Sequence, residues 1–149
     1  MPVNVHFDEN DALIVLVYRG VVTPENILAV ISDMRIRSAS VDKMDRFHYL
    51  DVDADLSQID FKNLMVVKDS VSENVINGEK RSQLSFRSAF VVESVINHGI
   101  IKLYTALWES DLDNDPTFKL FEAKAEALKW LNKDDVVTAR IEKWIRPPD

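Results

Sequence analysis

No cysteine occurs among the 149 residues, which removes disulfides, thiolate zinc sites and cysteine nucleophiles together. Glycine is almost as scarce, at three. With no Ser/Gly-rich or repeating stretch to mark a linker, the chain reads as one domain over 1–149. Neither a Walker loop nor a Gly-x-Gly-x-x-Gly run is present, so nucleotide binding has no support. No apolar stretch approaches the ~20 residues that cross a bilayer. The opening Met1-Pro2-Val3-Asn4-Val5-His6-Phe7-Asp8 has neither the basic start nor the apolar run of a signal peptide. Positive charge is in deficit, 18 basic against 25 acidic residues for a formal −7, which argues against a nucleic-acid partner held by phosphate contacts. These absences predict a cytoplasmic domain without a membrane span.

What is present is a regular alternation of strand and helix patterns in a chain that is 46% hydrophobic. Val3 to Phe7 alternates with polar neighbours and reads as a first strand, broken at Asp8-Glu9-Asn10-Asp11. Ala12 to Val22 is too continuously apolar for a strand with one wet face and reads as a central strand, antiparallel to the first. Thr23-Pro24-Glu25 opens a helix: the hydroxyl caps free N–H groups, proline sits where no donor is needed, and glutamate meets the positive dipole end. Ile27, Val30, Ile31 and Met34 supply its stripe.

Phe47 to Val52 reads as the third strand, after which Ser57 is expected to cap a long helix with Asp60 as the capping-box acid. Leu64, Val67, Val71 and Val75 form its stripe and Asn77-Gly78 its stop. A loop from Asn77 to Ser88, carrying Leu84 and Phe86 as exposed apolar residues, leads to a fourth strand, Ser88 to Glu93. Ser94 is expected to cap a helix with Ile96, Ile100, Leu103 and Leu107 on one face. Gly99 inside that helix implies close backbone packing against the sheet. Phe118 to Phe121 is a last strand and Ala123 to Leu131 a short helix. A final helix, about 134–146, is capped by Asp134, aligns Val137, Ile141, Trp144 and Ile145, and ends at Pro147-Pro148. Repeated strand–helix units imply an α/β fold with a mixed, mostly parallel sheet of about five strands and flanking helices.

Three stretches, taken together, resemble the SpoIIAA-like family, which is related to STAS domains. The first is Leu13-Ile14-Val15-Leu16-Val17-Tyr18-Arg19-Gly20-Val21-Val22-Thr23-Pro24-Glu25. The second is Ser88-Ala89-Phe90-Val91-Val92-Glu93-Ser94, running on to His98-Gly99-Ile100-Ile101-Lys102-Leu103-Tyr104. The third is Phe121-Glu122-Ala123-Lys124-Ala125-Glu126-Ala127-Leu128-Lys129-Trp130-Leu131. The resemblance covers about 3–131. It implies a β-α superhelix, shared with CRAL-TRIO lipid-binding domains, and members that act as protein-interaction switches. Such switches carry a phosphorylated hydroxyl at the start of the second helix. Here Asp60-Phe61-Lys62-Asn63 stands in that place, and neither Phe61 nor Lys62 accepts a phosphate.

Candidate chemistry is sparse. Asp51, Asp53 and Asp55 alternate at the end of the third strand, the sheet edge where open α/β folds bind ligands. With Ser57, Ser94 and His98 they form a candidate ligand or partner edge, weighed against a solvated turn. Asp111, Asp113, Asp115 and Glu122 match calcium-loop spacing, but Pro116 stands where glycine is required. His6, His48 and His98 are too scattered for zinc. Ser94 lacks the Gly-x-Ser-x-Gly context of a hydrolase nucleophile.

No catalytic set, metal or cofactor is therefore expected. Two readings remain: a non-catalytic interaction or regulatory module, and a binder of a small apolar ligand in a pocket of some hundreds of Å3. Helices stacked on one sheet face would leave the other bare. Trp144 and Ile145 of the last helix either close that face or pack against a second subunit; a homodimer is expected, with these two as the candidate interface.

Overall fold

A computed structural model describes residues 2–37, 43–76, 86–109 and 117–146. Among these, β1 (Val3–Asp8), β2 (Leu13–Tyr18), α1 (Pro24–Arg37), β3 (Asp45–Leu50), α2 (Phe61–Ile76), β4 (Ser88–Val92), α3 (Val95–Glu109), β5 (Phe118–Phe121), α4 (Lys124–Trp130) and α5 (Asp135–Ile145) follow in the expected order. The strands lie side by side in chain order, β1-β2-β3-β4-β5. β1 runs antiparallel to β2, and every later pairing is parallel.

Because the sheet grows one strand at a time in one direction, three crossovers of common hand place α1, α2 and α3 on the same face. There Ile14, Leu16, Leu50, Phe90 and Phe118 meet Val30, Met34, Leu64, Val67, Val71, Ile101, Tyr104 and Trp108. Strand side chains alternate between faces, so Leu13, Val15, Val17, Phe47, Ala89, Val91 and Phe121 point the other way. On that side Ala127, Leu128 and Leu131 of the α4 region and Val137, Ile141 and Ile145 of α5 cover them. The second face is closed by the chain itself. The reason given above for a second subunit therefore fails, and Ile145 is spent inside the fold.

α5 is latched at several points along its length. Asp134 caps it by accepting from Val137 N at 3.0 Å. Arg140 holds Asp8 and also Asp11, the latter at 2.9 Å. Lys133, just before it, donates to the Asp11 carbonyl at 2.7 Å. Trp144 stacks on His6 with centroids 5.0 Å apart, and Arg19 donates to the Ile145 carbonyl.

Several boundaries differ from expectation, each for a local reason. β2 stops at Tyr18 because Gly20 turns the chain at φ +66°, a conformation glycine adopts without strain. Thr23 caps α1 as expected, but its reciprocal partner is Asn26: Asn26 N donates to the Thr23 hydroxyl at 3.1 Å, and Thr23 N to the Asn26 side-chain Oδ1 at 2.9 Å. Ser57 does not cap α2. Asp60 does, exchanging bonds of 2.8 and 2.9 Å with Asn63, which starts the helix three residues later. In α3 the buried face is Asn97, Ile101, Tyr104, Thr105 and Trp108, so Ile96 and Leu103 point outward. Gly99 lies opposite that face, exposed, with open space where a Cβ would stand, so it packs against nothing. Phe86 is buried in the three-helix layer rather than exposed. Asn77-Gly78, the loop as far as Ser85, and Asp111 to Pro116 lie outside the described residues.

Candidate functional site

The parallel strands β2, β3 and β4 all end at one edge of the sheet, and the segments that follow are knitted together there. Asp55 N donates to the Gly20 carbonyl at 2.8 Å and Val22 N to the Asp55 carbonyl at 2.9 Å. The buried Asn97 amide of α3 donates to the Ala54 carbonyl at 2.7 Å. This lattice fixes residues 19–23, 51–60 and the start of α3 as one surface.

The acidic residues of that surface do not converge. Asp51 accepts from Arg19 Nε at 2.9 Å and from Val52 N at 2.8 Å. Asp55 accepts from Ser57 N at 2.9 Å, and the hydrogen bonds from Ser57 hold its carboxyl below the usual range. Asp53 points into solvent. No group of three His, Asp or Glu side chains is placed to hold a metal ion among the described residues. Ser94 offers only its carbonyl, which accepts from His98 N at 3.0 Å; no hydroxyl cap of α3 is seen among the described residues. His98 is turned toward a separate open groove beside β5, lined also by Lys102, Glu109 and Glu126. Of the six edge residues read from the sequence, Asp51, Asp53, Asp55 and Ser57 share a turn, whereas Ser94 and His98 belong to the start of α3, and among the described residues no side-chain hydrogen bond joins the two sets.

What sequence reading missed is the apolar character of this edge. Val95 is 90% exposed, Ile96 77%, Val52 68% and Phe61 55%. All lie at the strand ends or the first turns of α2 and α3, with half-exposed Val21 beside Asp55. Val52 was the available signal, an apolar residue between two aspartates in a turn with nothing to bury it.

A second feature lies between the sheet and α1–α3: a cavity of about 80 Å3 with aliphatic walls from Leu16, Leu50, Val67 and Ile101. Its floor carries four polar side chains, Tyr18, Arg46, His48 and Ser88. The Tyr18 hydroxyl and His48 Nδ1 are 2.7 Å apart. His48 also stacks on Phe90 at 4.1 Å. Burial, reinforced by the Arg46 charge, pulls the His48 pKa down to about 3, and burial first of all pushes the Tyr18 phenol well above its ordinary value. Both are neutral at physiological pH. The Arg46 guanidinium lies 3.8 Å over the Phe86 ring. Polar residues at alternate positions of an otherwise buried strand, Arg46 and His48, were the sequence signal for this floor.

With this geometry in hand, the chain can be compared with known proteins. No protein family profile and no curated protein matches it. It is similar to a solved SpoIIAA-like structure. That structure is an uncharacterized protein of the DUF3478 family from Shewanella loihica PV-4, matched at 16% identity over 87% of this chain and 91% of the other, with a TM-score of 0.45. The mixed five-stranded α/β sheet described above rests on this chain's own coordinates. No helix among the described residues is long and apolar enough to cross a membrane.

Proposed function

We propose that this chain is a non-catalytic interaction module that works through the C-terminal edge of its sheet. The observation that carries this reading is the exposed apolar set Val52, Phe61, Val95 and Ile96, held on a rigid frame beside Asp51 and Asp53. Exposed apolar side chains gathered on one rim mark a binding surface more readily than scattered ones do. The exposed Asp53 carboxylate, Asp51 being paired with Arg19, favours a protein partner whose own apolar patch is fringed by Lys or Arg. A second copy of this acidic chain is a poorer match, since like charges would face each other.

The test is cross-linking in the native cell with the full chain and with the double variant Val95→Asp/Ile96→Asp, both shown to be folded by circular dichroism. Loss of a specific cross-linked protein in the variant supports the reading. An identical cross-linked set contradicts it. A lipid-sized ligand is not favoured, because the cavity is well below the ~300 Å3 at which drug-sized pockets begin.

A further inference from the structure

The three-helix layer carries an apolar valley on its outer surface. Phe61, Met65 and Lys68 share one face of α2, at i, i+4 and i+7. The buried Lys68 ammonium stands 5.1 Å over the Trp108 ring of α3, so that face is the one turned toward α3. On α3, His98, Lys102, Thr105 and Glu109 line the groove beside β5. Ile96, Ile100 and Leu103, again at i, i+4 and i+7, therefore lie on its other flank, toward α2. Ile100 packs down onto the core of the helix layer. Ile96 and Phe61 stand exposed above it, with Leu103 at 40% and Met65 at 36%. The strip between the two helices is open hydrocarbon over two helical turns, ~10 Å at the helical rise.

Backbone chemistry narrows what fits there. α2 and α3 spend their N–H and C=O groups within themselves, so the valley offers no ladder to an extended segment, whose own backbone would be buried without partners. A helix arrives with its backbone already paired. Gly99, between Ile96 and Leu103 on the outer side of α3, has open space where a side chain would stand. That keeps the crest low and lets a second backbone come close. Charge then sets the direction. Both helices begin at the strand-end rim, where Asp60 caps α2 through Asn63 N at 2.8 Å. Asp53 adjoins Ala54, whose carbonyl takes the Asn97 amide of α3. Both carboxylates are exposed, so this end of the valley is acidic and favours a cation opposite. Cations belong at a helix C-terminus, so the occupant lies with its last turn at the rim.

We infer that the valley between α2 and α3 receives an amphipathic helix of a partner protein, antiparallel to both. The helix has apolar residues at i, i+4 and i+7 and Lys or Arg in its last turn. The assignment rests on the interaction role proposed above and carries it from the rim onto the helices. A second copy of this chain is a poorer occupant: α5, which also has a basic last turn, buries its apolar face on its own sheet.

The test is fluorescence anisotropy with a labelled peptide of about 18 residues, long enough to hold a helix, with leucines at that spacing and lysines in the last turn. Its control is a scramble of equal composition whose leucines share no face. The full chain is expected to bind the first peptide saturably and about tenfold tighter than the scramble. Moving the lysines to the first turn is expected to weaken binding about threefold. Met65→Gln/Leu103→Gln replaces two partly exposed side chains by a good helix former, so it is expected to fold and to lose about tenfold in affinity. Lack of saturable binding, equal binding of peptide and scramble, or unchanged affinity in the variant would overturn the inference. Indifference to the placement of the lysines would overturn the antiparallel orientation. In the native-cell cross-linking above, a partner lost in Val95→Asp/Ile96→Asp but kept in Met65→Gln/Leu103→Gln would overturn the valley and leave the edge reading standing.

Discussion

Two glycines separate what this sequence specifies from what it tolerates. Gly99 stands on the outer face of α3 with free space around it, so Gly99→Ala is expected to stabilise the protein by about 0.5–1 kcal/mol through helix propensity. A rise in the urea midpoint checks this. Gly20, at φ +66°, behaves oppositely: an alanine there meets left-handed strain of about 1–2 kcal/mol, and the midpoint is expected to fall. Sequence reading placed Gly20 in a strand run and Gly99 inside a helix, which gave neither the backbone angle of the first nor the outward orientation of the second. The difference is a backbone angle in one case and an outward orientation in the other.

His48 makes a further residue-scale prediction. Its folded pKa is about 3, far below the ordinary 6.5, so the unfolded chain takes up a proton that the native protein refuses. The stability it confers is complete above pH 6.5 and is lost progressively as pH falls toward 3. Urea titrations from pH 7 to 4 should show this loss, and a His48→Phe variant should show a shallower slope. Tyr104, raised to about 12 by burial, acts at the other end, where stability is complete below pH 10 and declines above it.

At the scale of elements, the order of strands and helices was fully legible because each carries its own periodicity. The caps and faces were less so. Thr23 and Asp134 were read correctly, each standing directly before an apolar periodic run. Ser57 was a false start: its backbone N–H is engaged by Asp55, and the true cap, Asp60, gains from the Asn63 amide three residues on. The face of α3 was misread because Val95, Ile96, Ile100, Ile101, Leu103 and Leu107 are apolar nearly all round, so several stripes fit equally well. The aromatics decided it, through Tyr104 and Trp108 against Phe118. Trp108→Ala, opening a void under that cluster, is expected to cost about 3–5 kcal/mol in denaturant unfolding. Asp134→Ala, which removes only one cap, is expected to cost about 1 kcal/mol.

At the scale of the molecule, α5 changes how the whole fold meets solvent. It lies over the face that one-sided crossovers leave open and is fastened to β1 and β2 through Arg140, Trp144 and the Arg19 contact. A chain ending at Lys133 should expose Leu13, Val15 and Val17 and self-associate, which sedimentation would show. In the intact chain the apolar surface is gathered at one end, where the strands finish. The acidic turn there was legible from Asp51, Asp53 and Asp55, but the apolar rim was not, because exposure at a strand end depends on which loops meet across the sheet.

The most direct test of this end as the working surface is carbene footprinting of the full chain, in buffer and in extract of its native cell. The expected outcome is reduced labelling at Val52, Phe61, Val95 and Ile96 in extract. Val136 on α5, similarly exposed but on another element, should label equally in both. Unchanged labelling along the rim, or protection centred on α5, would contradict the assignment of this edge as the binding surface.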